Sequence, residues 1–106
     1  MKQPTRFSHL SPAWQKLVRQ MQRLNFGSIS GIQFVDGEPV LDANVKIMAR
    51  YRFRSDNEVR PERSLPDFPL PEEVLWLHQT LHAEGCCRIA RLEVRGGLPK
   101  EVDLEI

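Results

Sequence analysis

The chain has 106 residues, of which 41% are hydrophobic and 27% charged, and 15 basic against 14 acidic residues give a formal net charge of +1. This length and composition are typical of one folded domain and exclude a globally disordered protein. The near balance of charge excludes strong bulk attraction to nucleic acid, so only local clusters of charge could select a partner.

The N-terminal residues and the cysteines indicate where the protein acts. MKQPTRFSHLSPAW has no apolar core of the kind that a signal peptide needs. No run in the chain approaches the roughly 20 apolar residues of a membrane helix. Cys86 and Cys87 are adjacent, and neighbouring cysteines do not close a useful disulfide loop. We therefore expect a soluble, cytoplasmic protein with no membrane contact.

The first predicted element is a helix that begins after Ser11. Ser11 suits the N-cap, Pro12 suits the first helical position, and Gly27 is predicted to end the helix. Apolar residues recur at the spacing of one buried face, namely Trp14, Leu17, Val18, Met21 and Leu24. The polar residues that face away from this stripe are Lys16, Arg19, Gln20 and Arg23.

Three strands are predicted next. Residues 28–35 form the first, and the Asp36-Gly37 pair predicts a tight hairpin turn. Residues 38–41 begin the return strand, although Pro39 restricts its pairing. Residues 45–54, VKIMARYRFR, alternate in polarity. The core-facing set is Ile47, Ala49, Tyr51 and Phe53, and the opposite set is Lys46, Met48, Arg50, Arg52 and Arg54.

A proline-rich loop at residues 55–71 separates this half from a second helix, EEVLWLHQTLHAE. Its first turn carries Glu72 and Glu73, which complement the positive end of the helix dipole, and Gly85 ends it. Its main apolar row is Val74, Leu77 and Leu81.

The remaining residues predict a second hairpin, with strands at 86–95 and 99–106 joined by a glycine turn. One strand places Arg91, Glu93 and Arg95 on a single face, and its partner places Glu101, Asp103 and Glu105 likewise. Opposite charges across a hairpin stabilise it, so we expect much of this arginine charge to be neutralised within the sheet.

Both halves therefore have the same order of features, namely helix, glycine, strand, glycine turn, proline and strand. In this alignment Gly27 corresponds to Gly85, Gly37 to Gly97, and Pro39 to Pro99. One helix-hairpin unit cannot bury its apolar face alone, whereas two can share a core. We predict an α+β domain with an antiparallel sheet of about five strands, two helices on one face, and the order α-β-β-β-α-β-β. The units are residues 11–54 and 72–106, in a single domain.

The first unit carries a further pattern, formed by Arg23, Phe26, Gly27, Ser28, Ile29, Asp36, Gly37 and Val40. In these residues it resembles the YezD-like small bacterial proteins. The resemblance spans roughly residues 14–41 and implies a helix followed by a hairpin. The chain departs from that family at Pro39 and in having a second half. The family offers no established activity to carry over.

The glycines of residues 26–42, FGSISGIQFVDGEPVLD, do not predict a nucleotide site. They follow a helix and precede a strand, whereas a dinucleotide fingerprint follows a strand and precedes a helix. We interpret them as a helix end and a hairpin turn.

Two other groups are candidate sites. The basic face of residues 45–54, with Lys46, Arg50, Arg52 and Arg54, could contact nucleic-acid phosphates, helped by Arg19 and Arg23 of the first helix. The alternatives are a solvated face, an edge strand protected by charge against aggregation, or pairing with neighbouring carboxylates.

His78 and His82 are spaced to share a helical face, and Cys86 and Cys87 could add a thiolate to a metal site. The alternative is that these residues fill the core, and we predict no metal or other cofactor.

The sequence contains no recognisable catalytic motif, so we predict a protein that is not an enzyme and has no small-molecule substrate. Trp76 and Leu75 lie off the main apolar row of the second helix. Exposed apolar residues of this kind indicate a binding surface. The favoured hypothesis is an interaction or regulatory protein that binds a protein partner or forms a homodimer. The alternative is a nucleic-acid-binding module that uses the basic strand.

Overall fold

The computed structural model describes residues 4–51 and 65–106, so the predictions for Arg52, Phe53 and Arg54 lie outside the described residues. The elements are a short 3₁₀ helix Phe7–His9, α1 Pro12–Leu24, β1 Phe26–Ser30, β2 Ile32–Val35, β3 Glu38–Val40, β4 Lys46–Ala49, α2 Glu72–Glu84, β5 Cys87–Arg95 and β6 Leu98–Glu105. The α+β class and the order of helices and strands are confirmed. Within the described residues the sheet has six strands, because the predicted strand 28–35 is divided at Gly31.

The long strand β5 organises the sheet. One edge of β5 pairs with β6, and the other pairs antiparallel with β2 and β1 in succession. Phe26 lies opposite Arg95 and Phe34 opposite Cys87, a single register that continues through the break between β1 and β2. The Gly31 N–H still donates to the Ile89 carbonyl, 2.9 Å away. Thus β1 and β2 act as one bent strand, flanked outside by β4 and β3.

The two helix-hairpin units are related by an approximate two-fold axis. Each helix has 13 residues, and equivalent positions differ by 60 in number. The Gly37 N–H in the first turn donates to the Gly85 carbonyl at the end of α2, at 2.8 Å. In the reciprocal bond, the Gly97 N–H donates to the Asn25 carbonyl at the end of α1, at 2.9 Å. The pairing of Gly37 with Gly97 therefore has a structural basis.

The predicted role of Gly27 is wrong. Asn25 ends α1 with a φ of 64°, close to the φ of 74° at Gly85, so Asn25 is the counterpart of Gly85. Gly27 lies inside β1, where a Cβ would sit only 2.0 Å from the Met48 carbonyl oxygen. Gly27 is thus required by the close approach of β4, and asparagine serves as the cap because it tolerates this conformation better than most residues.

Both helices pack on one face of the sheet around a single core. The Ser11 hydroxyl accepts the Trp14 N–H and caps α1, as predicted. Trp14 is fully buried, and its indole N–H donates to the Gly37 carbonyl at 2.8 Å. The predicted rows of both helices are buried or packed against the core. Gln22 is also buried, which the apolar pattern did not predict.

The residues before α1 and before α2 close one end of the core together. The Phe7 and Phe68 rings stack with centroids 5.0 Å apart. Asp67 accepts hydrogen bonds from the Arg6 guanidinium at 2.9 Å and the Ser8 N–H at 2.8 Å. These bonds lower the Asp67 pKa to about 2. Sequence reasoning missed this junction because its partners are far apart along the chain.

Candidate protein-binding cleft

A cleft of about 410 Å³ lies between α2 and β6 on the helix-covered side of the sheet. Its apolar lining includes Trp76, Leu77, Leu92 and Val102. We refer to it as the α2–β6 cleft. It adjoins the outer edge of β6, and none of the described strands pairs with that edge.

Trp76 is a large apolar residue that the cleft leaves exposed to solvent. Its position on α2 is offset from the buried row, so 55% of its surface is exposed, whereas Trp14 in α1 is fully buried. Leu75, which sequence analysis grouped with Trp76, is partly buried and packs against the core. Only Trp76 of this pair therefore lies open to a partner.

The rim of the α2–β6 cleft is predominantly acidic. Glu72 and Glu73 of α2 border it together with Lys100 and Glu101 of β6, and the register of β6 places the Glu101 side chain at the strand edge on the face away from the helices. The Lys100 ammonium lies 3.0 Å from a Glu73 carboxylate oxygen, an ion pair that links the first turn of α2 to β6. The remaining carboxylates give the rim a net negative charge, which favours a cationic partner.

A second depression, the α1–β4 groove, lies between α1 and β4. Two adjoining cavities of about 230 and 580 Å³ form it. Lys16 occupies the position equivalent to Trp76, and Arg23 and Arg50 also line the groove. Its apolar residues include Ile47 and the largely exposed Tyr51. Asp42 is the opposing charge in this lining, so the two depressions differ in net charge, with a basic rim here and an acidic rim at the α2–β6 cleft.

The predicted basic strand is only partly an open cationic surface. Lys46 and Arg50 are exposed, on the sheet face that the helices do not cover, which we call the open face. The Arg50 guanidinium lies 3.9 Å from the Glu93 carboxylate, which also binds Arg95 at 3.1 Å. Glu93 is 8% exposed although it lies on the open face, because these two arginine side chains flank it. A carboxylate therefore compensates part of this charge.

The second hairpin neutralises arginine differently from the prediction, because the ion pair described between its strands involves Arg88, whereas Arg95 binds Glu93 on its own strand. Arg88 lies 3.0 Å from Glu105, and Arg91 is the register partner of Asp103. Glu93 instead lies opposite Glu101, because register shifts interrupt the pairing of β5 with β6.

The two arginines of α1 have different environments. Arg23 is exposed, near β4. The Arg19 guanidinium lies over the Phe7 ring, 4.2 Å from its centroid, and donates to Gln22 at 2.9 Å and to the Leu65 carbonyl. Arg19 thus helps to join α1 to the segments before both helices, a role that differs from the predicted phosphate contact.

His78 and His82 stack on each other with ring centroids 4.1 Å apart. His78 also packs on Trp14 at 4.8 Å, and a Cβ on Gly37 would meet the His82 ring at 2.8 Å. Burial, together with His82, lowers the His78 pKa to about 4. These contacts make the pair a packing element between α2 and the first unit.

The cysteines do not join the histidines in a metal site. Cys86 is exposed and Cys87 is buried, and burial raises the pKa of the Cys87 thiol. In residues 4–51 and 65–106, no group of three or more His, Cys, Asp or Glu side chains is placed to hold a metal ion.

Comparisons with known proteins give no identification. No family model, curated protein or solved structure matches the chain, so the resemblance to the YezD-like proteins stays a prediction. Among the described helices, none is long and apolar enough to cross a membrane.

Proposed function

We propose that the protein is a non-enzymatic interaction module that binds a protein partner, or a second copy of itself, through the α2–β6 cleft. The observation that carries this proposal is the exposed Trp76 beside an unpaired strand edge, within the part of the chain that the structure describes. Tryptophan is enriched among residues that dominate binding energy, because one side chain buries a large apolar area with few rotamers to fix.

The surroundings of Trp76 support polypeptide binding. Leu77, Leu92 and Val102 give the cleft an apolar floor, and the carboxylates of its rim can discriminate between partners by charge. The outer edge of β6, with which none of the described strands pairs, adds main-chain donors and acceptors that an extended segment can pair with.

Nucleic-acid binding is the alternative hypothesis, and the described residues support it less. Arg50 shares Glu93 with Arg95, and Arg19 is held against two phenylalanine rings. Lys46 and Arg23 remain exposed, so the described residues offer fewer accessible cations than the basic strand was predicted to offer. Arg52 and Arg54 lie outside the described residues.

The test is selection of random peptides displayed on phage against the immobilised protein, followed by binding measurements with synthesised peptides. We expect selected peptides to lose at least about tenfold in affinity for Trp76→Ala, as is typical for loss of an aromatic anchor. Leu65→Ala is the matched control, because Leu65 is an exposed apolar residue outside the cleft. Equal binding to both variants would contradict the proposal, and so would the absence of any selected peptide together with the absence of self-association.

A further inference from the structure

We infer that the occupant of the α2–β6 cleft is a second copy of this chain, whose basic β4 edge joins the acidic β6 edge of the first. This inference rests on the proposed function and names the partner. Three features of the described residues support it: two unpaired strand edges, opposite charges on the open face, and apolar surfaces on the helix-covered face.

The two edges lie at opposite sides of the same sheet. Within the described ranges, β4 pairs only with β1, and β6 pairs only with β5. The Arg50 N–H donates inward to the Phe26 carbonyl at 2.8 Å. Hydrogen bonds alternate along an antiparallel strand, so the neighbouring N–H of Ala49 points to the outer edge. β4 thus has main-chain groups to offer to the edge of another sheet.

The charges of the two edges are complementary on the open face. The β4 side carries Lys46 and Arg50. On β6, Glu101 and Asp103 are exposed. Their register partners on β5, Glu93 and Arg91, alternate with core residues of that strand, so Glu101 and Asp103 lie on the open face. Joining β4 of one copy to β6 of another would set cations beside carboxylates, whereas joining like edges would oppose like charges.

The opposite face of the same junction is apolar. Ile47 pairs with the core residue Ile29, so Ile47 lies on the helix-covered face, where it is 45% exposed. Tyr51 continues this surface at 78% exposure. Trp76 and Val102 supply the facing surface from the α2–β6 cleft. Strand pairing between copies would bury these side chains together and remove Trp76 from water.

Such a junction uses two different surfaces of each molecule, so it is heterologous and does not close at two copies. Each added copy leaves one basic and one acidic edge free. We therefore expect sedimentation velocity to show association that continues beyond a dimer as concentration rises from micromolar to submillimolar, and that weakens with salt.

Two charge-reversal variants test the pairing of edges. Arg50→Glu and Glu101→Lys should each weaken association by about tenfold, because each sets like charges beside one another. A mixture of the two should recover association, because the reversed edge of one variant complements the reversed edge of the other. Glu84→Lys is the matched control: it changes net charge as Glu101→Lys does but lies at the C-terminal end of α2, outside both edges, and should associate as the wild type does.

Main-chain pairing is tested with Ala49→Pro, which removes the outward N–H, and with Ala49→Val, which keeps it. We expect association to be lost only in the proline variant, with circular dichroism confirming that both fold. If Ala49→Pro unfolds, the charge-reversal mixture decides the question.

A wild-type protein that stays monomeric at submillimolar concentration would overturn the inference. So would association that neither charge reversal changes. If monomeric protein still binds selected peptides through Trp76, the inference fails and the proposed function stands. If Trp76-dependent peptides and self-association are both absent, the proposed function fails as well.

Discussion

Acidification below about pH 6.5 should destabilise the protein through His78. The His78 pKa falls from an ordinary 6.5 to about 4 in the fold, because burial and the adjacent His82 disfavour the imidazolium. Folding therefore favours neutral His78. The resulting stability is fully present above pH 6.5 and is lost as the pH falls toward 4.

The size of the effect follows from these two values. The full interval between the two pKa values corresponds to about 3 kcal/mol of unfolding free energy, and about 2 kcal/mol of this stability is lost by about pH 5. His78 is only partly buried, so solvent screening reduces the loss at that pH to about 1 kcal/mol. This is a measurable share of the roughly 5–15 kcal/mol that stabilises a typical domain.

The assay is urea unfolding at about pH 7 and about pH 5, followed by circular dichroism. His78→Phe removes the titrating group and keeps an aromatic ring against Trp14. We therefore expect the difference in unfolding free energy between the two pH values to shrink by about 1 kcal/mol in this variant. His9→Asn is the matched control, because His9 lies exposed at the end of the 3₁₀ helix. Asp67, with a pKa of about 2, titrates below this window. Unchanged pH dependence in His78→Phe would refute the reasoning.

Three further predictions concern single residues. Gly27→Ala should cost more than about 2 kcal/mol in chemical denaturation, because its Cβ would meet the Met48 carbonyl oxygen at 2.0 Å and force β4 away; a smaller cost would contradict this packing. Gly85→Ala should cost about 1 kcal/mol by the same assay. Gly85→Asn should cost less, because its counterpart in α1 is an asparagine in the same conformation, and the reverse order would be inconsistent with the two-fold relation. In mass spectrometry after brief alkylation, Cys86 should be modified first and Cys87 only on unfolding, whereas equal labelling would contradict the burial of Cys87.

The sequence predicted those features that depend on local chemistry. Apolar spacing identified both helices, and the residue pairs at 36–37 and 96–97 identified both hairpin turns, where the backbone has positive φ. The α+β arrangement followed because each helix-hairpin unit needs a second apolar surface. The exposed position of Trp76 also followed from helical periodicity, since it lies off the buried row.

Features that depend on contacts across the chain could not be predicted. The sequence predicted that Gly27 ends α1, because glycine is common just after a helix. In the structure Gly27 lies in β1, where the close approach of Met48 leaves no room for a side chain. Arg19 looked solvent-facing, although Phe7 and Phe68 lie beneath its guanidinium. The α2–β6 cleft needed the strand order, which makes β6 an outer strand in the described sheet.

The reciprocal hydrogen bonds from Gly37 to Gly85 and from Gly97 to Asn25 bear on how this chain can be divided. Each helix end is completed by the turn of the other unit, so either half alone leaves a carbonyl without its partner and an apolar face in water. The halves should therefore be unstructured when expressed apart and should assemble when mixed, even with the backbone cut between residues 51 and 65. The two fragments therefore also offer a split reporter whose signal requires both.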